Sequence, residues 1–239
     1  ERREIEYQYT KVEESIEKMR GYEDKVVAMG EGHFYKNVYV VTAPSGTGKT
    51  TLTRRLVDEH DDIEFSVSYT TRKRRQGEVE GDHYWFISRK KFEENIQSHK
   101  MLEWAEVFGN FYGTSLEELK KKIEEGKKVI LEIDVQGWEQ ARKTLKGAQS
   151  LFILPPDIKT LWSRLYNRGT EDQQKCIRRL KTAKSELIRA SLYDHFMINQ
   201  DLERAYAELR SFVHEGSPPK LSQEEGQRSC ESLIEQVDK

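Results

Sequence analysis

The sequence predicts an α/β protein in which a parallel sheet is covered by helices and interrupted by a smaller antiparallel insert. Three stretches carry that reading. Val38-Tyr39-Val40-Val41 is a β-branched run that leads into a glycine-bearing turn, after which Leu52, Leu56 and Val57 recur at helical spacing. From Val129 onward, short apolar runs alternate with longer charged ones, the pattern of successive βα units. Between residues 65 and 115 that alternation gives way to short aromatic-rich runs, with a hairpin signal at Gly109-Asn110.

Taken in order, residues 1–36 form an N-terminal helical extension. Ile5, Tyr9, Val12, Ile16 and Met19 are spaced four, three, four and three apart on an otherwise charged stretch. Gly21 and Glu23 interrupt this heptad-like seam after about two heptads, so two readings stand equally: a helix docked on its own domain, and an arm for a dimer or assembly partner. Gly30-Glu31-Gly32 is a linker. Phe65-Ser66-Val67-Ser68-Tyr69 alternates as a strand does, and the polar run Thr70 to Glu78 follows. Tyr84 to Ser88 reads as a strand, residues 89–98 as a helix, and Leu102 to Gly113 as the hairpin. A helix is expected over 115–125 and a buried strand over Val129 to Asp134, ending in acid.

Leu151-Phe152-Ile153-Leu154 is a strand stopped by Pro155-Pro156. A helix then runs from Asp157 to about Arg168 and ends at Gly169. A long charged helix covers about 171–190, Phe196-Met197-Ile198 is the last strand, and residues 201–213 close the domain with Leu202, Ala205, Leu209 and Phe212 inward. Beyond Gly216-Ser217-Pro218-Pro219, residues 214–239 read as a polar tail, mobile by default, although Leu233, Ile234 and Val237 would line a short helix.

Composition excludes several classes. The chain has 239 residues, 34% charged and 36% hydrophobic, enough for a sizeable core with much exposed helix. A formal net charge of −2 gives no global field for nucleic acid or an acidic membrane, so neither is an expected partner. No apolar run approaches the roughly 20 residues of a membrane span. Cys176 and Cys230 sit among charged residues without metal spacing, which fits a reducing compartment. The expected location is cytoplasmic, or organellar if a targeting segment preceding Glu1 has been removed.

The chemistry begins at Ala43-Pro44-Ser45-Gly46-Thr47-Gly48-Lys49-Thr50. Strand, glycine turn, Gly-Lys-Thr and helix together make a phosphate-binding P-loop. Gly46 and Gly48 let successive N–H groups curl inward, and the helix N-terminus adds its dipole. Lys49 reaches the β- and γ-phosphates, and the Thr50 hydroxyl is placed to hold Mg²⁺. Ala43 stands where the usual motif has its first glycine, tolerable if that position does not need positive φ. In the insert, Arg72 and Arg75 beside Tyr84 make a cage for a second phosphate, because guanidinium forks match phosphate oxygens. Glu103, on the same small sheet as Tyr112-Gly113-Thr114, offers a carboxylate to the paired N–H donors of a guanine edge, which adenine lacks.

With these residues in view, the sequence closely resembles the guanylate kinase family. The resemblance rests on Ala43 to Thr50, Ser68-Tyr69-Thr70-Thr71-Arg72 through Arg75 with Gly77-Glu78, and Gly81-Asp82-His83-Tyr84. It continues through Glu103-Trp104-Ala105, Gly109 to Thr114, Glu132-Ile133-Asp134-Val135-Gln136-Gly137 and Arg168-Gly169-Thr170-Glu171. It implies a P-loop three-layer α/β/α core with a parallel sheet, a small mixed β insert binding GMP, and a helical lid. The implied domain is 37–213, with core segments 37–65, 116–163 and 192–213, the GMP-binding insert 66–115 and the lid 164–191. ATP would lie on Ser45, Gly46, Thr47, Gly48, Lys49, Thr50 and Thr51, with Asn199, near the last strand, approaching the adenine nucleotide. Ser68, Arg72, Arg75, Tyr84, Glu103, Tyr112, Thr114, Glu132 and Asp134 would form the GMP site. Lys49, Arg72, Arg164, Arg168 and Arg179 would act on the transferring phosphoryl group.

The resulting expectation is Mg²⁺-dependent transfer of the γ-phosphoryl group of ATP to GMP. The alternative is a catalytically inactive guanylate-kinase-like scaffold domain binding phosphopeptides or protein partners, against which the retained Lys49 and Thr50 argue. RNA binding through Lys73-Arg74-Arg75 would require steep salt dependence and has little else behind it.

Overall fold

The structure is a computed structural model and describes residues 34–166 and 173–237. The predicted N-terminal seam lies outside the described residues. The strands are β1 (Val38–Thr42), β2 (Ile63–Phe65), β3 (Tyr69–Thr70), β4 (Trp85–Phe86), β5 (Met101–Val107), β6 (Asn110–Ser115), β7 (Lys128–Leu131), β8 (Gln149–Leu154) and β9 (His195–Ile198). The helices are α1 (Lys49–Glu59), α2 (Arg89–Gln97), α3 (Leu116–Glu124), α4 (Val135–Ala141), α5 (Ile158–Tyr166), α6 (Gln173–Ile188), α7 (Leu202–His214) and α8 (Gln223–Val237).

Five strands form a parallel sheet in the order β2-β7-β1-β8-β9. Its strands alternate between two cores. Val38 and Val40 of β1, Val129 and Leu131 of β7, and Phe152 and Leu154 of β8 pack with Trp138, Leu161 and Leu187 on one face. Tyr39, Val41, Ile130, Leu151 and Ile153 pack with Leu52 and Leu56 of α1 and Leu209 and Phe212 of α7 on the other. Both faces are buried, which is why these strands read as continuous apolar runs. Helix starts are locally specified: Ser88, Ser115, Asp134 and Asp201 each accept the backbone N–H three residues on.

The insert is a four-stranded sheet, β4-β3-β6-β5, mixed because β3 and β4 run parallel while β6 pairs antiparallel with β3 and β5. The hairpin turn falls on Phe108-Gly109, both at positive φ (49° and 76°), one position before the Gly109-Asn110 signal.

Several expectations are corrected. Residues 65–69 are not one strand. Phe65 ends β2 while Tyr69 opens β3, and between them Ser66 N–H donates to the Ile130 carbonyl and the Ser68 carbonyl accepts from Trp85. The chain changes sheets here, so its alternation reflects two half-strands. Leu202 does not point inward: it is 42% exposed at the first turn of α7, where Ala205 and Leu209 set the buried face. Asp134 does not end a strand, because β7 stops at Leu131 and Asp134 caps α4, a helix that was not foreseen.

The C-terminal segment is not a polar tail. Residues 223–237 form α8, which buries Cys230 and Leu233 and packs on α6, α5 and β9. Gly226 brings the helix onto Phe196, where an added Cβ would stand 2.2 Å from the ring. The charged neighbours of Cys176 and Cys230 face outward on their helices, and both thiols are buried.

Candidate active site

The phosphate-binding loop leaves the C-terminal end of β1. Thr42, fully buried there, donates to the Ile133 carbonyl (2.7 Å) and accepts from the Tyr193 hydroxyl (2.8 Å), which fixes the strand end. Gly46 and Gly48 take left-handed φ of 90° and 98°. A Cβ on them would stand 2.8 Å from Leu165 Cδ2 and 2.6 Å from Asn199 Nδ2, so glycine is required twice over. Ala43 is not among the residues at positive φ, which answers the departure at the motif's first position.

Arg164 and Asn199 meet this loop from behind. Asn199, 3% exposed, donates from Nδ2 to the Thr47 carbonyl at 2.7 Å. Arg164 of α5 donates to the same carbonyl (3.2 Å) and to the Asn199 carbonyl (3.1 Å). Both side chains therefore brace the loop's backbone in this structure. Arg179 of α6 reaches the exposed Ser45 hydroxyl at 3.3 Å. Arg168 and the rest of its motif lie outside the described residues.

Lys49 Nζ lies 3.6 Å from Glu132 Oε2, and the other Glu132 oxygen accepts the Thr53 hydroxyl. Glu132 thus contacts the P-loop helix through both carboxylate oxygens. It lines one cleft with Thr50, Arg54, Ser66, Ser68, Asp82 and Tyr84, so residues of the loop and of the insert share a wall. Thr51 is exposed one position further along α1.

On the insert, Arg72 makes a bidentate pair with Glu78 at 2.8 and 2.9 Å. Its guanidinium lies 5.4 Å from the centre of the Tyr84 ring, which is 5.9 Å from Tyr112. The pair holds Glu78 down to about 2, with a further hydrogen bond from the Arg75 backbone N–H. Burial raises the Tyr84 hydroxyl above its usual range.

Glu103 is 8% exposed and accepts the Thr114 hydroxyl at 2.6 Å. A bulge explains its direction. Met101 faces Ser115 and Glu103 faces Thr114, so Leu102 is the extra residue and two successive side chains turn inward. Gly137 makes room for the carboxylate, since a Cβ there would stand 3.0 Å from Glu103 Oε2. Burial, with the Asp134 charge adding to it, pushes Glu103 up to about 7 against the opposing Thr114 hydrogen bond.

Glu186 of α6 was missed by the sequence reading. Its Oε2 is buried with no hydrogen-bond partner among the described residues. Burial and then Asp134 push it up to about 7, and Lys49 opposes them. The spacing of Cys176, Ala183 and Leu187, buried on the same helix, is the signal that marks this inner face.

Taken together, a glycine-bounded loop at the carboxyl end of a parallel sheet, opposed by a second site with arginine and a buried carboxyl, defines a P-loop α/β nucleotide-binding protein. The sequence profile of guanylate kinase matches residues 35–216. The chain belongs to the guanylate kinase family. It is 48% identical over 184 residues to a guanylate kinase of Nitratidesulfovibrio vulgaris, covering 77% of this chain and 89% of that one. To a guanylate kinase of Chromobacterium violaceum it is 45% identical over 177 residues, covering 74% and 84%. Among solved structures, guanylate kinase from Anaplasma phagocytophilum aligns with a TM-score of 0.59 at 31% identity, covering 75% of this chain and 85% of that one. Helix α8 begins beyond the matched family region. No helix among the described residues is long and apolar enough to cross a membrane.

Proposed function

We propose that the chain transfers the γ-phosphoryl group of ATP to GMP, giving ADP and GDP. One observation carries this reading beyond the family: Thr50 of the loop and Ser68 and Tyr84 of the insert line a single cleft, with Glu132 between them. Two phosphate-binding surfaces on one cleft suit in-line transfer between two nucleotides.

GMP has a second phosphate pKa near 6 and is mostly dianionic at neutral pH, so no general base is required. The protein supplies position and charge. Lys49 exchanges Glu132 for the β- and γ-phosphates. Arg72, Arg75, Tyr84 and Tyr112 take the GMP phosphate, while Glu103, Ser68 and Thr114 read guanine. Asp134 sets the Glu103 environment through its charge and through α4. Arg168 and Arg179 close on the transferring group from the lid, and Arg164 and Asn199 hold the loop against it. The donor set also fits Mg²⁺, because the Thr50 hydroxyl and the nearby Glu132 carboxylate are hard oxygen ligands. Mg²⁺ bound with ATP neutralises charge on the phosphates, and the Thr50 hydroxyl would hold it.

The test is ADP formation with ATP, Mg²⁺ and GMP, with AMP, CMP and UMP as controls and Lys49→Ala beside the parent chain. Turnover with GMP alone, reduced at least 10²-fold in the variant, is expected. Measurable GMP binding without turnover would overturn the enzyme reading and leave the scaffold one.

A further inference from the structure

We propose that His60, Asp62 and His214 form a binding site for a zinc-class divalent cation at the end of the core opposite the phosphate-binding loop. His60 caps the C-terminus of α1, Asp62 lies in the turn into β2, and His214 ends α7. One ligand atom from each lies within 4.8 Å of the others. The imidazole rings of His60 and His214 stack at 4.4 Å. His214 Nδ1 is 3.8 Å from Asp62 Oδ1.

Three features point to a ligand. First, His60 Nε2 is buried and has no hydrogen-bond partner among the described residues. A buried polar atom left unpaired costs about 1–3 kcal/mol, so an occupant that satisfied it would be favoured. Second, Lys128 engages the carboxylate through its other oxygen. Its ammonium takes Asp62 Oδ2 (3.1 Å) and the His214 carbonyl (3.0 Å), while Oδ1 lies 3.8 Å from His214 Nδ1. Third, the donor set is chemically selective. Two imidazole nitrogens and one carboxylate oxygen, without thiolate, suit Zn²⁺, Co²⁺, Ni²⁺ or Cu²⁺ rather than Mg²⁺ or Ca²⁺.

Tetrahedral bonds of about 2.0–2.1 Å place ligand atoms about 3.3 Å apart. The cluster must therefore tighten, and one ring must rotate out of the stack. His214 is exposed, as is Asp62, so rotation there meets no core packing. The charged groups near the site are Lys128, whose positive charge weakens binding, and Glu59, whose carboxylate is shared with Arg55 and Tyr206. The ion would join the C-terminal ends of α1 and α7, two helices already packed on the same sheet face. Lys49 begins α1, about 16 Å away at 1.5 Å per residue over its 11 residues, so the site does not touch the reacting groups.

The experiment is Zn²⁺ titration of the full, tag-free chain by calorimetry, repeated with Mg²⁺ in large excess. Co²⁺ absorption reports the coordination geometry. One ion per chain with micromolar affinity, unaffected by Mg²⁺, is expected, together with a Tm rise of a few degrees. His60→Ala, His214→Ala and Asp62→Asn should each weaken binding at least tenfold, with GMP-dependent turnover unchanged. His214→Gln, at an exposed position, serves if His60→Ala fails to fold. Absence of binding below about 100 μM, or binding that survives these substitutions, overturns the proposal.

Discussion

Asn199 Nδ2 donates to the Thr47 carbonyl at 2.7 Å across 152 positions of sequence, and Arg164 joins both by donating to the carbonyl oxygens of Thr47 and Asn199. The end of β9, helix α5 and the phosphate-binding turn are thereby tied at one carbonyl. Asn199→Ala should lower stability by about 1–3 kcal/mol, since it removes a buried bond. For a chain this size the Tm should fall by about 2–4 °C per kcal/mol. Km should rise for ATP more than for GMP. An unchanged Tm would contradict the bracing role.

If Glu103 reads guanine as proposed, it must be ionised to accept the paired donors, yet burial pushes it up to about 7. GMP binding should therefore release a proton near pH 6.5. Affinity should climb with pH between 6 and 7.5, by at most tenfold per unit from this group. Calorimetry in two buffers of different ionisation enthalpy reads the proton directly. Glu103→Gln should remove the component that the GMP phosphate's own ionisation does not explain.

Two buried carboxyls, Glu103 and Glu186, predict an unusual stability profile. Glu103 and Glu186 bind protons in the folded chain up to about pH 7, whereas unfolded glutamates lose them near 4.5. Between those values the folded state holds more protons, so stability falls as pH rises. The slope reaches about 1.4 kcal/mol per pH unit for each group. Denaturant melts at pH 5, 6 and 7 should show the decline in the ligand-free protein, and the Glu103→Gln, Glu186→Gln pair should flatten it.

Gly226→Ala tests whether α8 is part of the folded core. The new methyl would meet the Phe196 ring well inside contact distance. Overpacking of this kind costs about 1–3 kcal/mol. A lowered Tm with GMP specificity intact is expected, and a neutral substitution would mean that α8 is not seated on β9.

The parts of this architecture legible in sequence are those specified locally. The P-loop is a strand, a turn and a helix in immediate succession, and Gly46 and Gly48 take the φ their positions demand. The hairpin was legible to within one residue, and Glu103 lies on the same small sheet as Thr114, as the sequence indicates, in direct register with it. Features assembled over distance were not. Glu186 looks like one charge among many on α6, and only packing of its inner face reveals it. Leu202 fits a helical period but falls on the first, uncovered turn. Asp134 reads as a strand end because nothing in Val135-Gln136-Gly137 announces a helix except the cap itself. The C-terminal helix is not legible because Gly226, Cys230 and Leu233 make a narrow apolar stripe whose partner, Phe196, lies 30 positions before the nearest of them.

The Arg72–Glu78 pair gives the guanidinium a resident carboxylate partner. If Arg72 takes the GMP phosphate as proposed, the phosphate would have to displace a carboxylate that already satisfies the guanidinium fork. Entry would then be graded by charge: a dianion would compete with Glu78, whereas a guanosine lacking phosphate would leave the pair closed and gain only its base contacts. The insert would thus discriminate a nucleotide from its nucleoside before the phosphate donor is engaged.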